Sequence, residues 1–295
     1  MCELSVQNTE QIQLSTRHNL VKKYVVGENK QQRKARKLKE KLAKAQISVE
    51  THEDLPQKSV EKYYVLCLKH GSKYSSDYVN TLYNMVKRNC TLDFEFICLT
   101  DDPHGINPNI GTIPLPDGIE GWWCKPYIFS NDLGLRGTIL YMDLDVVIAD
   151  NIDQLFTFGN DSWCTIRDFT RKMRPTWPKY NSSIIKFRSG QLNHYWENFK
   201  KHQRSIQKKF HGDQDWLYEA THEEMPATLF PDNWILSWKW EIRQSKDLLY
   251  NMARGTRRLR TIEHCEPPQG CVVCVFHGDP NPENCEDPWV VKNWT

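Results

Sequence analysis

The chain has 295 residues, with 39 Lys and Arg against 37 Asp and Glu, for a formal net charge of +2. That balance excludes polyanion binding through overall charge and leaves only local basic segments for it. The length suffices for one large domain or two small ones, and the absence of an apolar run of roughly eighteen residues excludes a helical membrane span.

The N-terminal MCELSVQNTEQIQLST lacks the basic and apolar regions of a secretory signal, so a cytoplasmic protein is expected. In that compartment the ten cysteines, among them Cys67, Cys98 and Cys274 inside apolar runs, read as free buried thiols. Residues 1–57 read as an N-terminal extension to a domain over 58–295. Its Lys30–Lys44 stretch holds eight basic residues and one acid, with Ala35, Leu38 and Leu42 at helical spacing. This basic helix either packs by its narrow stripe or contacts phosphates of nucleic acid or an anionic surface.

Tyr63–Leu68 reads as the first core strand, followed by the polar turn Lys69–Ser76 and a helix over Asp77–Arg88 capped by Ser76 or Asp77. Phe94–Leu99 is the second strand, ending at Thr100-Asp101-Asp102. Strand, helix, strand predicts a mostly parallel α/β sheet with flanking helices, whose ligands bind beyond the carboxyl ends of the strands. His70, Tyr74 and Thr100 sit at such ends; His70 is either a pocket wall or a solvated turn histidine. Ile110–Leu115 reads as a short strand. In Gly121-Trp122-Trp123-Cys124-Lys125-Pro126, Lys125 is either a phosphate donor beside a helix start or solvated, with both Trp in the core.

The central stretch is Thr138–Ile148, an apolar β-prone run interrupted by Asp143 and Asp145. In an extended chain these two project to one side. Unpaired burial would be costly, so a hard divalent cation, Mg²⁺ or Mn²⁺, with a diphosphate on its open positions is expected there. Trp163–Asp168 is a further strand. Asn181-Ser182-Ser183 reads as a polar turn feeding a strand to Phe187, and Leu192–Lys201 as a helix before a basic stretch Arg204–Lys209. Gly212 and Asp213 begin another helix, and Asp213, Gln214 and Asp215 together suit a hydroxyl-rich ligand such as a sugar. Pro231–Trp240 is aromatic-rich, suiting either a ring platform or core. Arg254–Arg260 is a second basic cluster. The last strand, Cys271–Phe276, delivers His277 and Gly278, and His277 can complete a metal site that has two carboxylates.

Asp143-Leu144-Asp145, Asn181-Ser182-Ser183, Asp213-Gln214 and His277-Gly278, in that order, resemble the metal-dependent glycosyltransferases of the GT-A fold, close to the glycogenin-like and bacterial galactosyltransferase family 8. The Gly121–Lys125 stretch is similar to a subset of uncharacterised bacterial and phage members. The resemblance covers roughly residues 60 to 292. It implies a Rossmann-like α/β domain that moves a sugar from a nucleotide donor, with UDP the expected nucleotide, to a hydroxyl acceptor with retained configuration. It implies Asp143, Asp145 and His277 as ligands of Mn²⁺ or Mg²⁺, a base cradled by Leu66–Tyr74 (Leu68, His70 and Tyr74 included), and a sugar held by Asp213 and Gln214 with Asn181 nearby; Asp213, Gln214 and Asp215 are the candidate catalytic residues. Thr100, Lys125, Leu144, Asn181, Ser182 and Gly278 are then further donor contacts. The family's Lys after His-Gly-x-Pro is Asn281 here, so Lys125, Lys239, Arg257 or Arg258 must supply that charge. For a phage-encoded member the compartment is the host cytoplasm.

Two other function classes fit parts of the pattern. His264, Cys265, Cys271, Cys274, His277 and Cys285 crowd the C-terminus like ligands of a nucleic-acid-binding zinc protein. Asp143 and Asp145 also suit a two-metal nuclease or nucleotidyltransferase. The acceptor is a glycan, a protein side chain or a hydroxymethylated base in DNA; Lys30–Lys44 and Arg254–Arg260 lean toward a polyanion.

Overall fold

The computed structural model describes residues 61–243 and 266–295, with helical, exposed Lys34, Arg36 and Lys37 besides. The rest of Lys30–Lys44, and Arg254–Arg260, His264 and Cys265, lie outside the described residues. The chain divides into two units, Met1–Val60 and Glu61–Thr295; the following concerns the second.

Its centre is a seven-stranded sheet in the order β3-β2-β1-β4-β7-β6-β8. The strands are β1 (Tyr63–Lys69), β2 (Phe94–Thr100), β3 (Gly111–Pro114), β4 (Thr138–Met142), β6 (Cys164–Arg167), β7 (Tyr180–Arg188) and β8 (Thr228–Leu229). Strands β3, β2, β1 and β4 run parallel, β7 is antiparallel to β4 and β6, and β8 is parallel to β6. A second sheet, β5 (Val146–Ile148), β10 (Val273–Val275) and β9 (Ile235–Ser237), pairs β10 antiparallel to β5 and parallel to β9.

Period-two alternation divides the core between the faces of the main sheet. Val65, Cys67, Leu140 and Met142 join one apolar cluster; Tyr64, Leu66, Ile139 and Tyr141 join the other. The first also takes helix α1 (Ser76–Asn89), whose Val79, Leu82 and Val86 recur at helical spacing and are fully buried. Ser75, one residue earlier than expected, caps α1 by accepting the amide N–H of Asp77 at 3.2 Å. The short α2 (Asp153–Thr157) adds Leu155 and Phe156. On the other face lie a 3₁₀ segment, Gly121–Phe129, and helices α3 (Asn193–Lys209) and α4 (Asp213–Thr221). Helix α5 (Pro288–Asn293) closes the described chain.

Four expectations are corrected. Thr138–Ile148 is not one strand: it leaves the main sheet at Asp143, whose N–H still bonds Ser183 O at 2.8 Å, and enters the second sheet at Val146. Both carboxylates therefore sit in the break, clear of the buried middle of either strand. Asn181-Ser182-Ser183 is not a turn but part of β7, with the Asn181 and Ser182 side chains bonded to Gln214 and Asp213 far along the chain. The basic stretch Arg204–Lys209 is helical, continuing α3 through a kink at His202. Trp122 is not core: it is 57% exposed, whereas Trp123 stacks on Phe199.

No helix among the described residues is long and apolar enough to cross a membrane. Their eight cysteines are free thiols, all buried except the half-buried Cys90.

Candidate active site

Strands β1 and β4 are neighbours, with Leu66 opposite Tyr141, so the turn after β1 and the break after β4 open on the same crevice. A cavity of about 910 Å³ lies there. It is lined by Leu68, His70 and Tyr74 from the β1 turn, by Lys125 from the 3₁₀ segment, and by Asp143, Leu144 and Asp145. His70 is anchored as wall, its Nδ1 accepting the N–H of Gly121 at 3.2 Å.

The acid couple is held by donors from both sides. The Tyr74 hydroxyl donates to Asp145 Oδ2 at 2.8 Å, and the Tyr141 hydroxyl to Asp143 Oδ1 at 2.6 Å. Lys125 Nζ lies 2.9 Å from Asp143 Oδ1, 3.1 Å from Ser182 Oγ and 3.6 Å from Asp213 Oδ2. Burial alone would lower the Lys125 pKa, but Asp143 and Asp213 outweigh it and raise it, so the ammonium stays charged. Burial, and then the neighbouring Asp143, push the Asp145 carboxyl up to about 6, against the pull of the Tyr74 hydrogen bond and of Lys73 and Lys125. Burial and Asp145 keep the Tyr74 phenol protonated.

From this centre a polar network runs into α4. Ser182 Oγ donates to Asp213 Oδ2 at 2.7 Å, and Asn181 Nδ2 donates to Gln214 Oε1 at 3.1 Å. Gln214 Nε2 in turn donates to Asp168 Oδ2 at 2.9 Å. Gly212 is the N-cap of α4, which places Asp213 and Gln214 in the first turn, as the sequence suggests. Asp215 is diverted into an ion pair with Lys179 at 2.7 Å.

Thr100 is not a pocket residue: its buried hydroxyl is spent on the backbone of Asp102. His277 is brought near by its backbone only, since the N–H of Phe276 bonds Asp145 O at 2.8 Å. Its ring turns aside, Nε2 lying 2.6 Å from Ser237 Oγ and the face stacking on Phe169. Burial, with Lys239 nearby, lowers its pKa to about 4, so it is neutral at physiological pH. Gly278 has φ +87, and a Cβ there would lie 3.4 Å from Lys239 Nζ. In the aromatic-rich stretch, Trp238 is core, donating to Asp287 at 2.6 Å, and Trp240 meets the His277 ring edge-on.

The solved structures that match share this architecture. One, an active-site mutant of LgtC, aligns with a TM-score of 0.51 at 13% identity over 78% of this chain and 93% of that one. The glycosyltransferase GlyE of Streptococcus pneumoniae TIGR4 aligns at 0.53 and 11% identity over 79% of this chain and 62% of its own. The bifunctional glycosyltransferase WbbM aligns at 0.52 and 11% over 80% and 50%. The fold is GT-A. No protein-family model matches the sequence, and no curated protein matches it.

Asp143 and Asp145 could hold a cation through hard carboxylate oxygens, a donor type that suits Mg²⁺ or Mn²⁺. Among the described residues no group of three His, Cys, Asp or Glu side chains is arranged to hold a metal ion. Cys271 and Cys274 are buried free thiols, so among the described residues nothing supports the zinc reading. Tyr141, Ser237 and Asp168 are site residues that sequence reasoning missed.

Proposed function

We propose that this chain is a glycosyltransferase that moves a sugar from a nucleoside-diphosphate donor to a hydroxyl acceptor. The observation that carries the reading is the Asp143–Asp145 couple on the cavity at the carboxyl end of β4, with Lys125 between Asp143 and Asp213. With a divalent cation bound between them, two carboxylates beside a fixed ammonium would form a site for a phosphate leaving group, and the adjoining Asp213–Gln214–Asn181 network offers forked groups for sugar hydroxyls.

The donor's base lies in the turn Leu68–Tyr74, with UDP the expected nucleotide. Asp143 and Asp145 would hold Mn²⁺ or Mg²⁺, a Lewis acid that neutralises the departing diphosphate. Lys125 holds Asp143 and Asp213 in place and contributes positive charge beside the leaving oxygen. Lys239, set over Gly278, supplies charge that Asn281 does not; Asn281 instead occupies the N-cap position of the 3₁₀ turn Pro282–Asn284 without a side-chain cap. Asp213, engaged with Ser182 and Lys125, orients the sugar. That engagement favours attack by the acceptor on the face of the departing diphosphate, with retention.

The deciding experiment is a screen of nucleotide sugars with Mn²⁺ that scores nucleoside-diphosphate release. Release dependent on both Asp143 and Asp145 supports the reading; no release from any donor removes it. NMR of the product anomer tests retention, and inversion discards that part.

A further inference from the structure

Trp122 is the one residue of the Gly121–Phe129 segment whose bulk is turned outward: Cys124, Pro126, Ile128 and Phe129 are buried, and Trp122 is 57% exposed. Its neighbours already fill the core, so packing does not explain a solvated indole. It lies on the cavity wall and is held in place rather than free. The ring stacks on His211 at 6.2 Å between centroids and 11° between planes, and its Nε1 would lie 3.7 Å from a Cβ on Gly212. Gly212 immediately precedes Asp213, so the ring borders the end of the site that carries the sugar-orienting groups. Beside it the cavity is lined by the exposed Glu120 and by Gln207.

We infer that Trp122, backed by His211, is the acceptor platform, and that the acceptor is a saccharide whose apolar ring face stacks on the indole while its hydroxyls bond Glu120 and Gln207. The inference rests on the glycosyltransferase reading for what the platform serves, not for its chemistry. An indole suits either a sugar ring or a nucleobase. The neighbours decide between them: a carboxylate and an amide match hydroxyls, whereas a carboxylate at the rim opposes a phosphodiester chain. The lysines that line the cavity stand at the donor end, Lys125 paired with Asp143 and Lys73 over the Tyr74 ring.

The test is saturation-transfer NMR on the full chain, with glucose, galactose, N-acetylglucosamine and lactose as sugar probes, UDP as donor probe and a short oligothymidylate as nucleobase probe. The proteins are wild type, Trp122→Ala and Trp122→Phe. The expected result is a sugar signal in wild type, weakened about tenfold in affinity by Trp122→Ala and kept by Trp122→Phe, with UDP bound alike by all three. Trp122-dependent sugar binding without any UDP binding leaves the platform standing and removes the donor reading. The platform is overturned by absence of sugar binding, by sugar binding that survives Trp122→Ala, by Trp122-dependent oligothymidylate binding in its place, or by joint loss of UDP and sugar in Trp122→Ala.

Discussion

The ammonium of Lys125 and the carboxylate of Asp143 meet at 2.9 Å, with both side chains largely out of solvent. Nothing else described at this point compensates Asp143 and Asp213 together. Lys125→Met is therefore expected to destabilise the protein by roughly 3–5 kcal/mol by leaving buried charge unpaired. Adding Asp143→Asn should return part of that loss. Urea unfolding of the two single variants and the double variant measures it; strict additivity would show that the pair is not coupled.

Asp145 gives a pH signature. Its folded-state pKa is raised from 3.8 to about 6. A raised carboxyl contributes stability that is full below the unfolded pKa and is lost as pH rises through the folded one, here between about 4 and 6. Asp145→Asn should lack that loss and, without added metal, be more stable than wild type at pH 7, by roughly 3 kcal/mol and with a higher melting temperature. Mn²⁺ should reverse the order by stabilising only wild type. Thermal melts at pH 4.5 and 7 with and without Mn²⁺ test both halves; a wild type unresponsive to Mn²⁺ counts against a cation at this couple.

Ser237 competes for the ring that a third metal ligand would need. Removing its hydroxyl in Ser237→Ala frees His277 Nε2, at the loss of the cap to Trp240 N at 3.1 Å. Mn²⁺ affinity should rise a few-fold, by about the net value of one hydrogen bond. Because burial holds His277 neutral down to about pH 4, the gain should be the same at pH 6 and pH 8. Calorimetric titration reads it, and unchanged affinity would place His277 outside the cation's reach.

Gln214 is bridged on both sides, to Asn181 and to Asp168. Gln214→Glu would set a carboxylate against Asp168, and like charges at such range are unfavourable. Transfer should fall by roughly 10²-fold or more through misplacement of the sugar, while UDP binding stays near wild type. Steady-state kinetics beside UDP titration separate the two; equal loss of both would assign Gln214 to nucleotide binding.

The sequence made β1, β2, α1 and the α4 cap visible because each carries its own local signal: an apolar run, a 3.6-residue stripe, or a glycine before acids. It hid Asn181–Ser183 because polar residues in a buried strand look like a turn until their partners, Asp213 and Gln214, are brought in by the fold. Arg204–Lys209 does not read as part of the helix for a related reason, since a helix face that only solvates charge leaves a thin pattern. The break at Asp143–Asp145 follows from the cost of burying charge in a strand, which ends β4 just before the first acid. Tyr141 was within reach: it stands two residues before Asp143, on the same side of an extended chain. Thr100 failed because a strand-end position does not say which way a hydroxyl turns. Trp122 failed because aromatic pairs read as core.

Asp145 belongs to a chain segment that enters the small sheet, and its partner strand among the described residues, Val273–Val275, lies more than a hundred residues further along the sequence. The acidic pair is thus completed late: a nascent chain emerging from the ribosome carries both aspartates long before it carries the strand that fixes the second. Truncation ahead of Val273 would remove that strand together with the buried Val275, Phe276 and Val290 of the same core cluster, so the second aspartate would lose both its anchoring strand and the packing behind it.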